Sequence, residues 1–343
     1  MRSAGRPWWL ALLPFLLVAL AAWLASGVMA QQQAAQAQAR VRPGFQVFRP
    51  PHEVHSLVEL DSLIWAGGVE GVVALDMETG AVVKKVECSP SLAFVTSLAA
   101  GPDGALWIGS SGGLARYDAS GCRTFTTRDG LPDARINALY FDRQNRLWAG
   151  TWQGAAVLEA GAWRVLTSAD GLMNDMVNVI TQDGQGGMWF GSYVAPQGGA
   201  TVCRAGKCQQ FSTQNGLPHN GINAILQDRA GDVWLGTGFF DRGGAARLRW
   251  DGSAWTLAQT LTEKDGLAGE KVRSIFEDQA GRLWLGSEYS GVARQQPGGW
   301  QVLTEEDGLA NNEVKTILQD RQGRIWLGGL DGVTRIAAAS LQP

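Results

Sequence analysis

Tryptophan recurs in this sequence at nearly even intervals. Trp65, Trp107, Trp148, Trp189, Trp234, Trp284 and Trp326 are separated by 42, 41, 41, 45, 50 and 42 residues. Each follows a short polar turn of the kind seen in Asp278-Gln-Ala-Gly-Arg-Leu-Trp-Leu-Gly-Ser287. A period of about 40 to 50 residues is that of a propeller blade, a small antiparallel sheet that buries its faces only by stacking on neighbours. Seven units of about 42 residues fill the roughly 300 residues that follow the N-terminal segment. The expectation is an all-β fold, a seven-bladed β-propeller of four-stranded antiparallel blades over residues 44–338. The 45 Gly and 15 Trp, with only 18% charged residues, suit short strands joined by tight turns.

The third unit shows how one blade reads. Arg135 to Phe141 alternates apolar and polar as an inner strand, Asp142 to Arg146 turns, and Leu147 to Gly150 forms the second strand. Ala155 to Glu159 and Trp163 to Thr167 make the third and fourth, and Asp170-Gly-Leu172 closes the unit. The Asp-Gly step supplies a positive φ for a sharp reversal, and the Leu is expected to plug the gap between blades. The Asp residues of both turns need no ligand, because an Asp that opens a turn bonds its own backbone. The seven repeat tryptophans belong to the core, since a binding residue has no reason to recur in every blade.

The chain ends test the ring. The seventh unit stops after Val333 to Ile336 with no fourth strand, while Phe45-Gln-Val-Phe48 precedes the first unit and resembles the fourth strand Trp300 to Leu303. The N-terminal strand is therefore expected to complete the last blade and close the ring, leaving neither sheet edge exposed. The first unit, Val54 to Glu87, is the most divergent and lacks an Asp-Gly-Leu closure.

Residues 1–30 have a different character: Arg2 and Arg6, then an apolar run from Trp8 to Leu24, then Val28-Met-Ala30. This pattern reads as a signal peptide or an uncleaved signal anchor, so the protein is expected to be exported, periplasmic or extracellular, touching the membrane only through this segment. The Gln- and Ala-rich residues 31–43 read as a flexible tether. In an exported chain, Cys203 and Cys208 fall on the two arms of one hairpin and are disulfide candidates. Cys88 and Cys122 are expected near opposite ends of the outer strands of adjacent blades and are left unpaired. His52, His55 and His219 do not cluster with the cysteines, so no metal site and no cofactor are expected. A net charge of −3 without clustered Lys and Arg argues against nucleic acid.

Gly216-Leu-Pro-His-Asn-Gly-Ile-Asn-Ala-Ile225 followed by Asp228-Arg-Ala-Gly-Asp-Val-Trp-Leu-Gly-Thr237 resembles the two-component regulator propeller repeat, and the likeness extends from Phe45 to Ile336. The resemblance implies an extracytoplasmic sensor module of a histidine kinase or related signalling protein, often one that responds to oligosaccharides. No second span, kinase or adaptor follows the ring in this sequence, so output is expected to pass through another protein, such as a membrane-bound histidine kinase or other envelope protein, or to be absent.

Loops joining second to third strands and loops joining blades share one face of such a ring. Trp152, Tyr193, Phe239, Phe240 and Tyr289 place aromatics there on four successive blades, beside Asn174, Asp175, His219, Asn220 and Glu270. Aromatic platforms edged with amides and carboxylates suit sugars, whose ring faces stack while their hydroxyls need polar partners. The competing readings are blade-edge packing and a partner-docking surface. An enzyme of the cell envelope, a lyase or glycoside hydrolase, would have to use His219 with Asp175 or Glu270, the one acid–base constellation in the sequence. The expected protein is a non-catalytic binding or docking propeller.

Overall fold

The computed structural model describes residues 42–88, 92, 94–194 and 196–341. The leader at 1–30 and nearly all of the tether at 31–43 lie outside them. Among the described residues no helix is long and apolar enough to cross a membrane. The chain from Gly44 onward forms one compact unit of seven four-stranded antiparallel sheets. Their inner strands are Val54–Leu60, Val95–Ala100, Ile136–Phe141, Val177–Gln182, Ile222–Gln227, Val272–Glu277 and Val314–Gln319, numbered here as blades one to seven. Each inner strand packs on the next, and the seventh returns to the first.

The ring closes as the chain ends require. Phe45–Phe48 pairs antiparallel with Gly332–Ile336, Phe45 opposite Ile336 and Phe48 opposite Val333, as the fourth strand of blade seven. Phe45 is buried with Trp284, Leu303 and Ile336, so the borrowed strand also fills the contact between blades six and seven.

Inside a blade, one carboxylate organises the turn before each tryptophan. Asp142 Oδ1 accepts the backbone N–H groups of Gln144 and Arg146, while Oδ2 accepts the Trp148 indole at 2.8 Å and Arg146 Nε at 2.7 Å. Asp278 and Asp320 repeat the arrangement with Trp284 and Arg282, and with Trp326 and Arg324. Burial alone would raise the Asp278 pKa, but the indole, backbone and Arg282 hydrogen bonds outweigh it and lower it. The Trp-x-Gly that follows needs its glycine because the next blade presses on it: an added Cβ on Gly109 would meet Ile136 Cγ2 at 2.7 Å.

The Asp-Gly-Leu closures form a one-turn 3-10 helix in five blades. Asp129, Asp170, Asn215, Asp265 and Asp307 accept the N-cap N–H in a capping box, and the following glycines adopt φ between 94° and 115°. The leucines after them, such as Leu131 and Leu172, are buried between the tryptophan of one blade and the inner strand of the next, as expected.

Both cysteine pairs are bridged. Cys203 and Cys208 stand directly opposite in their hairpin, as expected. Cys88 and Cys122, which the sequence leaves unpaired, also form a disulfide, with Cα atoms 5.4 Å apart. Their pairing depends on blade geometry that residue spacing does not give. Sheet twist inclines each outer strand so that its end reaches the start of the next blade's outer strand. The same approach brings Gly130 to Trp163, Gly171 to Cys208 and Gly266 to Trp300.

Asp278→Ala strands the Trp284 indole, Arg282 and two backbone N–H groups in the core, and should cost about 3 kcal/mol in chemical denaturation. Phe45→Ala should cost about 3 kcal/mol through the cavity it leaves at the ring closure.

Candidate binding face

Every inner strand carries a bulge after its first residue, seen as a register shift against the second strand. The bulged residues are His55, Thr96, Asn137, Asn178, Asn223, Arg273 and Lys315, one from each blade, and all seven line a cavity of about 380 Å³. Glu53, Phe94 and Tyr193 complete its wall.

Most of these side chains also join one blade to the next. Asn137, Asn178 and Asn223 donate Nδ2–H to the carbonyls of Val177, Ile222 and Val272 at 3.1, 3.2 and 3.1 Å. Thr96 donates to the Ile136 carbonyl, and His55 Nδ1 lies 2.8 Å from the Val95 carbonyl. In blade six Ser274 makes this bond instead, to Val314 at 3.0 Å, and Arg273 turns to Glu288. Lys315 closes the circuit on Glu53 of the segment entering blade one, at 2.6 Å. Burial pushes the Glu53 carboxyl up, but hydrogen bonds from Lys315 and His55 prevail and hold it low. The buried Oδ1 of Asn223 has no hydrogen-bond partner.

The aromatic residues expected on the rim divide into one cluster and two separate groups. Tyr193, Phe239, Phe240 and His219 pack together, with Phe239 5.6 Å from Tyr193, 4.2 Å from Phe240 and stacked on His219 at 6.5 Å. Lys271, only 6% exposed on its side chain, sits within this cluster, 3.2 Å from the Tyr193 hydroxyl, and pairs with Glu288. Trp152 stands apart under the Arg135 guanidinium at 4.0 Å and donates its indole N–H to Asn137 at 3.1 Å. Arg135 in turn holds the Asp133 carboxyl down to about 2. Tyr289 is 63% exposed.

The polar residues expected beside them hold the loops. Asn174 Oδ1 and His219 Nδ1 accept the N–H two residues ahead, as Asp133 and Asn311 do in their blades. Asp175 and Asn220 accept the N–H of Ser168 and Thr213, seven residues back, as Asn312 does from Glu305. The Glu270 carbonyl lies against Gly238 and Gly243. Among the described residues no hydrogen bond joins His219 to Asp175 or Glu270, and no group of three or more His, Cys, Asp or Glu is placed to hold a metal.

Sequence reasoning passed over the bulge positions. Their signal is a polar residue following the first apolar residue of every inner strand, from Val54-His55 and Val95-Thr96 to Val314-Lys315. The out-of-step residue marks the bulge.

Burial, followed by the charges of Arg242 and Lys271, lowers the His219 pKa. A base with a depressed folded pKa stabilises the fold above its unfolded value of about 6.5 and loses that contribution as pH falls through the folded value. In an NMR titration His219 should therefore titrate below 6.5, and the Gly221 N–H, which it accepts, should lose protection relative to its intrinsic exchange rate in acid.

The family model described as two component regulator propeller matches residues 130–153, 171–194, 216–239, 266–289 and 308–331. Each match begins at a closing-motif glycine and ends at or just past the end of the next blade's second strand, so the matched unit bridges two blades. No curated protein sequence matches the chain. Among solved structures, an extracellular domain assigned to a hybrid two component system of B. thetaiotaomicron superposes with a TM-score of 0.74 at 19% identity, covering 86% of this chain and 41% of that one. A second from the same organism, assigned to a one component system, gives 0.59 at 19% identity, over 86% and 47%. Virginiamycin B lyase from Staphylococcus aureus gives 0.67 at 14% identity, over 85% and 98%. This chain thus spans less than half the length of the two B. thetaiotaomicron chains, and at these identities the likeness is one of fold. The repeat is matched at five of the seven blade boundaries, so the chain carries the two component regulator propeller repeat.

Proposed function

We propose that this protein is an exported, non-catalytic recognition propeller with a signalling or docking role, and that its axial cavity takes a polar ligand, a glycan by preference. The observation that carries this reading is the cavity itself, about 380 Å³, to which every blade contributes one side chain. Amide, hydroxyl and cationic groups converge there with two aromatics, Phe94 and Tyr193, at its wall. Sugar hydroxyls need many convergent polar partners, and sugar ring faces stack on aromatics.

Export is supported by the N-terminal signal pattern and by two disulfides, which persist in oxidising compartments. The repeat's own description and the extracellular two component domains of like fold support a signalling role. The proposed partner is a membrane-bound histidine kinase or another envelope protein. The outer rim, with Phe240 62% and Tyr289 63% exposed, is the surface offered to it.

A glycan array read with the purified chain tests the proposal. Capture should weaken roughly tenfold in Tyr193→Ala, which removes a wall of the cavity, and should be far less affected in Tyr289→Ala on the outer rim. Capture lost in Tyr289→Ala but kept in Tyr193→Ala would move the site from the axis to the rim. No capture of any glycan would leave docking as the function of this face.

A further inference from the structure

Three blades carry an arginine beside the turn carboxylate that blades four and five lack, blade five having Asp232 at that position. In blades three, six and seven the turn before the tryptophan ends in Arg146, Arg282 or Arg324, whose Nε lies 2.7, 2.8 and 2.6 Å from the turn carboxylate. Each buried carboxylate thus has a guanidinium counter-ion. Blade four keeps the carboxylate and the indole, with Asp183 Oδ2 2.8 Å from Trp189 Nε1, but has Gly187 in place of the arginine. Asp183 is 1% exposed, and among the described residues no ion pair reaches it. A buried carboxylate without a cation is costly.

A cavity of about 170 Å³ opens at this spot, with Asp183, Gly187 and Val202 as its buried lining. It lies at the end of the blades bearing the first-to-second and third-to-fourth strand turns, away from the axial cavity. Its other wall comes from a second departure, the long interval between Trp234 and Trp284. Part of that extra length extends the outer strands of blade five, Arg242–Trp250 and Trp255–Leu261, to nine and seven residues. This hairpin leans on blade four: Trp255 stands 5.4 Å from Trp189, and Gln209 exchanges two hydrogen bonds with the Trp255 backbone. Trp250 and Trp255 line the cavity, and Arg204 and Lys207 stand exposed at its edge. Arg204 lies over Trp250 at 4.5 Å and makes no ion pair with Asp183.

We propose that this cavity is a binding site for a guanidinium group carried by a ligand. The guanidinium takes the place that Arg146, Arg282 and Arg324 occupy in the sister blades, bonding the Asp183 carboxylate beside the indoles of Trp250 and Trp255. A planar, weakly hydrated cation suits a carboxylate in a cavity lined by indoles better than an ammonium does. Arg204 and Lys207 receive an anionic group of the same ligand, so the favoured ligand carries both charges, as free arginine or a peptide ending in arginine does.

The test follows the Trp189 indole N–H cross-peak of the full chain by NMR, because that proton shares the Asp183 oxygen. Titrated L-arginine should move it saturably, and L-lysine roughly tenfold more weakly. Agmatine, which lacks the carboxylate, should also bind more weakly than L-arginine. An acetylated peptide with a C-terminal arginine, binding more tightly than L-arginine, would identify a peptide as the source; the reverse would favour the free amino acid. Gly187→Arg should abolish the response by supplying the cation in cis, although its Cβ would press on Asp183 Oδ2 and Val202 at 2.6 and 2.8 Å. Trp250→Ala, at a half-buried position of the hairpin, should weaken L-arginine roughly tenfold whether or not Gly187→Arg folds. An unmoved cross-peak, equal binding of L-lysine, or unchanged affinity in Trp250→Ala overturns the site. Equal binding of agmatine overturns the role given to Arg204 and Lys207.

Discussion

The ring depends on one kind of hydrogen bond: a side chain at a bulge in one inner strand donating to the first carbonyl of the next. Blades also meet through apolar faces and through bonds between neighbouring turns, such as Arg143 N–H to Gln182 and Gln279 N–H to Gln319. A bulge turns its side chain toward the axis, and the neighbouring carbonyl sets the rotation between two sheets. Because every such residue stands at the axis, the bonds that close the ring also furnish the polar lining of its cavity. Ring closure and the cavity lining therefore share the same side chains. The rim aromatics are less tied to closure, although Trp152 reaches Asn137.

Within each blade the corresponding device is the turn carboxylate. It gathers two backbone N–H groups and an indole, so a large aromatic is fixed in orientation as well as buried. Where an arginine joins, the carboxylate is neutralised as well. The first two blades show how far the pattern bends. Glu59 stands at the Asp position of blade one and pairs across the closure with Arg321, while the Trp65 indole turns to the Leu60 carbonyl. Gly101 replaces the Asp of blade two, where Trp107 stacks on Phe125. Divergent blades substitute packing and inter-blade ion pairs for the local network.

Much of the fold was legible because it is periodic. The tryptophan spacing gave the blade number, the alternation gave the strands, and the missing fourth strand of the last unit pointed to Phe45–Phe48. The disulfide between Cys203 and Cys208 was legible because a hairpin is local. That between Cys88 and Cys122 was not, because it depends on twist accumulated across two sheets. On the candidate face the sequence located the loops but not the hydrogen bonds that their polar groups make. Asn174, Asp175, His219 and Asn220 resemble ligand-binding residues by type, yet they hold loop backbones.

By itself, then, the sequence determined the unit, its count and its closure, because backbone pairing and burial follow from residue period and turn chemistry. Only the tertiary structure decided which polar side chains share a cavity. His55 and Lys315 are 260 positions apart in a chain of 343, and they meet around one axis because seven sheets rotate through a full turn. The same holds for Asp183 and Trp250, whose proximity depends on how one blade's hairpin leans on its neighbour. Local patterns encode what a segment becomes, and the angle between packed sheets decides what it faces.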